Sequence, residues 1–408
     1  MKISELKGKN ILLVGYGKEG QATEKFLKSR LTNVKISIAD QNNGEDYLKN
    51  QKDYDLAVRS PGVPKEVIKI PYTTATNIFF ANKGNIDVIG VTGTKGKSTT
   101  ASLIHHIFSK AGITSKLVGN IGTPVLAALM DNHDDKTIFV CELSSYQLDD
   151  IIFSPHISVV VSLFSDHLPY HGSIDKYHDA KKNIVRYQTK KDYYIYNPRF
   201  PELVKWSSET KAKSLPYTVF QISSSITLKG EHNHDNIRAA ATVSKLYDIP
   251  DETINSSLAS FQPLPHRLEY VGKYHNIDFY DDAISTTPES TIAALEALSD
   301  VKTIFLGGLD RGYDFTNLIE VLKKNNVQNI VLFPDTGDRI KQLLEKEVEY
   351  HPKIFETRKM NSAIEFAFTN TPRNSVCLLS TASPSYSLWK NFEEKGDEFQ
   401  NFVKNYAK

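Results

Sequence analysis

The 408-residue chain has only two cysteines, Cys141 and Cys377. That is too few for a disulfide framework or a thiolate metal centre. Neither sign of charge prevails: 49 Lys and Arg stand against 48 Asp and Glu, a formal net charge of +1. No global basic field points to nucleic acid, and a nucleic-acid partner is not expected. Long apolar runs are missing too, none approaching the roughly 18 residues a membrane span needs. The opening MKISELKGKN lacks the apolar core of a secretory signal, so a cytoplasmic address is the expectation. Neither a short-period repeat nor a low-complexity tract interrupts the chain. What remains is an ordinary globular composition, 40% hydrophobic and 24% charged, on a chain too long for one compact core.

Short β-rich runs alternate with helical patterns. NILLVGYGKEGQATEKFLKSR reads as strand, glycine turn and helix, VKISIAD as a second strand ending in an acid, and YDLAVRSPGVP as a third stopped by a Pro-Gly turn. IDVIGVTG opens a new unit after Lys83-Gly84, and KTIFVCELSS and ISVVVSLF continue it. Tyr193 to Lys229 reads as short strands and turns with little helix, and the proline-rich FQPLPHRLEY as a second linker. IDFYDDA, KTIFLGG, NIVLFPD and SVCLLST then give four more strands. The alternation predicts an α/β protein with parallel sheets in three domains. These are a Rossmann-like N-terminal domain (1–84), a central P-loop ATPase-type domain (85–264) and a C-terminal Rossmann-like domain (265–408).

Two glycine loops carry chemistry. Gly15, Gly17 and Gly20 form a GxGxxG between strand and helix, with Asp40 about 20 residues further on. Such glycines let backbone approach a diphosphate, and the acid suits a ribose hydroxyl. A redox dinucleotide, another nucleotide diphosphate and a plain packing turn all remain open at this loop. The second loop, IGVTGTKGKSTT, is sharper. Strict P-loop spacing would put glycine at Val91, whereas the glycines fall at 90, 93 and 96. Its physical requirements are still met. Backbone N–H groups around Gly93, Thr94, Lys95, Gly96, Ser98 and Thr99 would face phosphates, Lys97 adds a point charge, and the Ser98 hydroxyl suits Mg²⁺. A nucleoside triphosphate, ATP, is the expected ligand.

GVTGTKGKSTT resembles the phosphate loop of the Mur ligase family, which includes the peptidoglycan stem-peptide ligases and folylpolyglutamate synthase. GNIGTPV, ELSSYQLD, DHLPYHGSIDKYHDAKKNI, HNHDNIRAA, PHRLEYVG and LLSTASPSYSLWKNFEEKGDEF follow in the family's order, so the resemblance spans essentially the whole chain. It implies a three-domain ligase that activates a carboxylate with ATP and Mg²⁺ as an acyl phosphate, which an amino acid's amine then attacks. By resemblance, Lys97, Glu142, His167 and Lys181 are catalytic. Ser98, Glu142, His167 and, if carbamylated, Lys181 would be metal ligands. Asn236 and Arg267 would serve the nucleotide, with Asp282 near the ribose. The first domain would hold a uridine diphosphate sugar rather than NAD, through Gly15, Gly17, Gly20, Asp40, Gln41, Asn42 and Ser60, with Asn120 near the reacting carboxylate. The implied substrates are UDP-N-acetylmuramoyl-L-alanine and glutamate, for peptidoglycan precursor synthesis by a monomer. The glycine-rich domain ahead of the P-loop argues against a folylpolyglutamate synthase, which begins near its P-loop.

The third domain departs from the pattern. Ile284 in DDAISTTPES stands where an SKAT-like turn carries a lysine, and a branched apolar group cannot neutralise a carboxylate. Arg311, in LGGLDRGYDF, is placed to hold a carboxylate in its stead, with Ser385 and Phe392 flanking the incoming amino acid. Tyr386 and Trp389 are read as aromatic surface added to that pocket. D-glutamate, L-glutamate, another acceptor, and a nucleotide sensor without turnover are the alternatives this leaves.

Overall fold

A computed structural model describes residues 1–406 apart from 45, 135, 165, 218, 222–227 and 229. Three sheets organise the chain. The first, in the order β2-β1-β3-β4, is all parallel and comprises β1 (Asn10–Val14), β2 (Lys35–Ala39), β3 (Leu56–Arg59) and β4 (Tyr72–Thr74). The second is also all parallel, in the order β10-β9-β8-β5-β7-β6. Its strands are β5 (Val88–Thr92), β6 (Ser115–Gly119), β7 (Ile138–Glu142), β8 (Ile157–Val160), β9 (Tyr193–Tyr196) and β10 (Lys213–Pro216). Every residue of β5, β7 and β8 is buried, because helices cover both faces. That is why VIGVT, IFVCE and ISVV are continuous apolar runs rather than alternating ones.

The third sheet runs β11-β12-β16-β13-β14-β15, from β11 (Glu269–Tyr274), β12 (Ile277–Asp281), β13 (Val301–Gly307), β14 (Asn329–Phe333), β15 (Lys353–Glu356) and β16 (Val376–Leu379). It corrects the expectation of parallel sheets throughout: β11 pairs with β12 antiparallel. The hairpin is closed by His275 and Asn276 at φ 49° and 62°, a left-handed pair that matches the strand twist. No glycine marks this turn, so the usual signal is missing from the sequence.

The chain forms two compact units, one carrying the first two sheets with residues 1–226 and 232–261, the other the third sheet with residues 262–408 and the short segment 227–231. In the first unit, the helix Lys97–Lys110 buries Leu103, Ile104, Ile107 and Phe108, a 3–4 spacing that turns one face inward. A second correction falls between β9 and β10, where a helix, Pro201–Glu209, occupies a stretch read as turns. Proline takes its first turn, and Leu203 and Trp206 are its buried pair. No helix among the described residues is long and apolar enough to cross a membrane.

Gly307 ends β13 with φ 108°, and a Cβ there would meet the Phe333 carbonyl oxygen at 2.0 Å. Gly307→Ala is expected to cost roughly 2 kcal/mol or more, read as a lower denaturation midpoint in urea.

Candidate active site

β5 lies between β7 and β8, with Val91 level with Glu142 and Thr92 level with Val160. The chain leaves all three strands at one edge of the sheet, where ligands of parallel sheets gather. The P-loop follows β5. Gly96 adopts φ 84°, and a Cβ there would sit 2.3 Å from Asn236 Oδ1, so only glycine allows this approach. The loop is pinned by its neighbours. Thr94 N donates to Ser162 O (2.9 Å), Lys95 N to Ser162 Oγ (2.9 Å), and the Tyr177 hydroxyl to Thr94 Oγ1 (3.0 Å). Lys97 Nζ folds back onto the carbonyls of Gly93 (3.0 Å) and Thr94 (2.9 Å). Ser98 and Thr99 follow it in the first turn of the helix.

Glu142 ends β7 and is 1% exposed. Its Oε1 accepts from Asn120 Nδ2 at 2.7 Å, while its buried Oε2 has no hydrogen-bond partner. An orphaned, buried carboxylate oxygen suits a cation. Lys181 is 1% exposed and donates to Gly93 O at 2.8 Å. Burial, reinforced by the charge of Lys97, pushes its amine well below the usual lysine range. His167, at φ 53°, starts the short helix Leu168–His171. Burial outweighs Asp166 and lowers its imidazole to about 4, so the ring is neutral at neutral pH, the form that binds metal. The free Glu142 oxygen, the neutral His167 ring and the Ser98 hydroxyl are donors that would suit Mg²⁺, and Lys181 would join them only as a carbamate.

The first sheet presents a second loop at the corresponding strand ends. Gly15 has φ 84°, Gly17 caps the helix Lys18–Arg30, and a Cβ on Gly20 would meet Gly15 O at 2.4 Å. Asp40 turns inward: its carboxylate accepts from the backbone N of Tyr16 (2.7 Å) and Asn42 (3.0 Å). These bonds, Asn42's first, hold its carboxyl below the usual range. Ser60 donates its hydroxyl to Gly15 O at 2.8 Å. Gln41 and Asn42 are exposed beside them.

In the second compact unit, Asp282 is 4% exposed, and burial raises its carboxyl to about 6 against the hydrogen bond from Ser380 and the charge of Arg267. Its oxygens accept from Leu268 N (3.1 Å) and Ser380 Oγ (2.9 Å). Arg311 is exposed and lies over the Tyr386 ring at 6.0 Å, next to buried Ser385, whose hydroxyl has no hydrogen-bond partner. Phe392 is half-buried against the core. Trp389 is not pocket surface, contrary to expectation. It packs edge-on against Phe333 at 5.1 Å, and its indole N–H donates to Glu398. Ile284 is half-buried, its N–H given to His266 O (3.1 Å).

Three further groups were not singled out from sequence. Tyr177, from the helix Ile174–Arg186, and Ser162, just past β8, clamp the P-loop, and nothing local marks them. Lys395 is fully buried with its Nζ 2.5 Å from Thr381 Oγ1. Burial lowers its amine to about 7 against the pull of Asp281 and Asp282. A lysine in the apolar phase of the last helix was its one available signal.

An α/β chain with three sheets, a P-loop after β5 and a buried, unpartnered carboxylate beside it is the class these features define. Residues 91–223 match the Mur ligase middle domain and residues 266–382 the Mur ligase glutamate ligase domain. The UDP-N-acetylmuramoylalanine–D-glutamate ligases of Staphylococcus saprophyticus and Staphylococcus epidermidis are 31% and 30% identical, each over 98% of this chain and 97% of the relative. The chain belongs to the Mur ligase family. Its fold is similar to that of a MurF ligase from Thermotoga maritima solved with ADP (TM-score 0.63, 15% identity, 99% and 97% of the two chains). The same holds for the UDP-N-acetylmuramate–alanine ligase MurC of Thermotoga maritima (TM-score 0.63, 17% identity, 98% and 100%).

Glu19, inside the glycine loop, yields a pH prediction. Burial raises its carboxyl from 4.5 to about 7, opposed by the Gln147 amide and Arg59. It holds its proton more tightly folded than unfolded, so its contribution favours the fold below 4.5 and is lost as pH rises through 7. Glu19→Gln is expected to raise the melting temperature at pH 8 and to match the parent near pH 4.5. A gap that does not vary with pH would refute this.

Proposed function

We propose that the protein is an ATP-dependent, ADP-forming amide ligase that joins glutamate to UDP-N-acetylmuramoyl-L-alanine in peptidoglycan precursor synthesis. The observation that carries this reading is the unpartnered, buried Glu142 Oε2 beside the P-loop, in a chain aligned over nearly its whole length with ligases of that name. Each domain serves chiefly one reactant: residues 1–84 the uridine diphosphate sugar, 85–264 the ATP, and 265–408 the amino acid. The enzyme acts as a monomer in the cytoplasm.

The chemistry must bring a carboxylate up to a triphosphate, two anions, so the site needs positive charge and oriented donors. Backbone N–H groups from Gly93 to Thr99 and the Lys97 ammonium hold the phosphates, which would draw Lys97 off the Gly93 and Thr94 carbonyls. Asn236, Arg267 and Asp282 hold the rest of the nucleotide. Ser98, Glu142, His167 and a carbamylated Lys181 hold Mg²⁺, which when bound neutralises phosphate charge. The low basicity of Lys181 keeps its amine free to take up CO₂. Gly15, Gly17, Gly20, Asp40, Gln41, Asn42 and Ser60 hold the uridine diphosphate, and Asn120 orients the alanyl carboxylate. That carboxylate attacks the γ-phosphorus and ADP leaves. The glutamate amine then attacks the acyl phosphate carbon, loses a proton and expels phosphate. Arg311 and Ser385, with Phe392 behind them, hold the glutamate.

Ile284 gives this pocket one cation fewer than the family pattern, so the acceptor's configuration is the part to test. Phosphate release from ATP with UDP-N-acetylmuramoyl-L-alanine is expected with D-glutamate, Arg311 substituting for the missing lysine. Preference for L-glutamate would mean a re-cut pocket, and no release with either would overturn the ligase reading. Lys97→Ala is expected to lower kcat at least about 100-fold with an unchanged melting temperature.

A further inference from the structure

A single buried guanidinium joins the glycine-loop sheet to the metal-site elements. Arg59, the last residue of β3, is 0% exposed. On one side its Nη1 donates to the carbonyls of Pro61 (3.2 Å) and Val63, which shapes the turn beginning at Ser60, and Ser60 is bonded to Gly15 O. On the other side its Nη2 donates to both oxygens of Asp150 at 2.9 Å, and Nη1 to the Tyr170 hydroxyl at 3.1 Å. Asp150 lies two residues beyond the short helix Ser145–Leu148, which begins just past Glu142 and is capped by Asp149. Asn77 pins it there, donating to Asp150 O (2.9 Å) and accepting from Ile152 N (3.0 Å). Tyr170 sits in the helix that His167 begins, and the Tyr146 ring touches both Tyr170 (4.5 Å) and His167 (4.9 Å). A parallel thread runs from Gln147 Nε2 to Glu19 Oε2 at 3.1 Å.

We propose that Arg59, with Asp150 and Tyr170, is a positioning link that transmits occupancy of the Gly15–Gly20 diphosphate loop to the segments carrying Glu142 and His167. The identity of the ligands rests on the ligase reading above. A guanidinium is a planar fork with fixed donor directions, and a buried one cannot trade a lost partner for water. When a diphosphate draws the loop and its turn inward, Arg59 must therefore carry Asp150 and Tyr170 with it. Arg59 itself touches no reacting atom.

Replacing Arg59 would remove every bond of the link at once and risks the fold, so the test weakens only the far half, with Tyr170→Phe, which removes an acceptor, and Asp150→Asn, which removes the charge and keeps one acceptor oxygen. Both leave Arg59 bonded to its own turn. Hydrogen exchange is followed with UDP as the probe. In the parent, UDP is expected to slow exchange at residues 15–20 and 60–64 and also at 145–150 and 167–171. In both variants only the first effect should survive. In turnover, kcat should fall about 3- to 30-fold and the Mg²⁺ midpoint rise, with KM for the uridine substrate unchanged. A merely structural role would lower the melting temperature without this split. UDP protection that stays at the loop in the parent, or spreads equally in both variants, overturns the link while leaving the ligase reading intact. UDP that changes nothing anywhere overturns both.

Discussion

The register of three parallel strands governs the rest of the site. With β5 paired to β7 and β8 so that Val91 meets Glu142 and Thr92 meets Val160, the P-loop, an acidic strand end and the segment leading to His167 emerge at one edge. A slip of one residue would turn Glu142 away and bring Cys141 in its place. Helices on both faces keep every residue of these three strands buried.

The electrostatics follow from that placement. Two lysines converge on the Gly93 carbonyl, and the buried one resolves the conflict by giving up its proton readily. Burial likewise keeps His167 neutral. Glu142 is left with one oxygen satisfied by Asn120 and one without a partner, a cost to the fold that a bound cation would relieve. The same logic recurs beside the glycine loop, where Glu19 and Arg59 each keep one buried polar atom without a partner. Stability has been given up at both places where the ligase reading puts an anionic ligand.

Much of this was legible in the sequence because it is local. Gly15 and Gly96 sit in left-handed backbone and Gly20 against Gly15 O, requirements that glycine spacing signals, and β5, β7 and β8 announce themselves by largely apolar runs. The errors have physical causes. β11 turns back through His275-Asn276 rather than a glycine, and the helix at Pro201 is short and follows a tyrosine-rich strand. Trp389 looked like pocket lining because an aromatic beside a site motif gives no sign of which way its ring points. The ring turned into the core, where its area counts for more.

By itself the sequence determined the α/β class, the two glycine loops and the motif order that marks a Mur ligase, since these depend on residue type and spacing along the chain. Only the tertiary structure decided which oxygen of Glu142 is free, that Lys181 is buried against the P-loop, and that Arg59 ties one loop to another sheet. Those properties belong to partners 22 to 111 positions away along the chain, Glu142 with Asn120, Lys181 with Gly93 and Arg59 with Tyr170. Hydrogen bonding and desolvation act through space, and no periodicity along the chain encodes them.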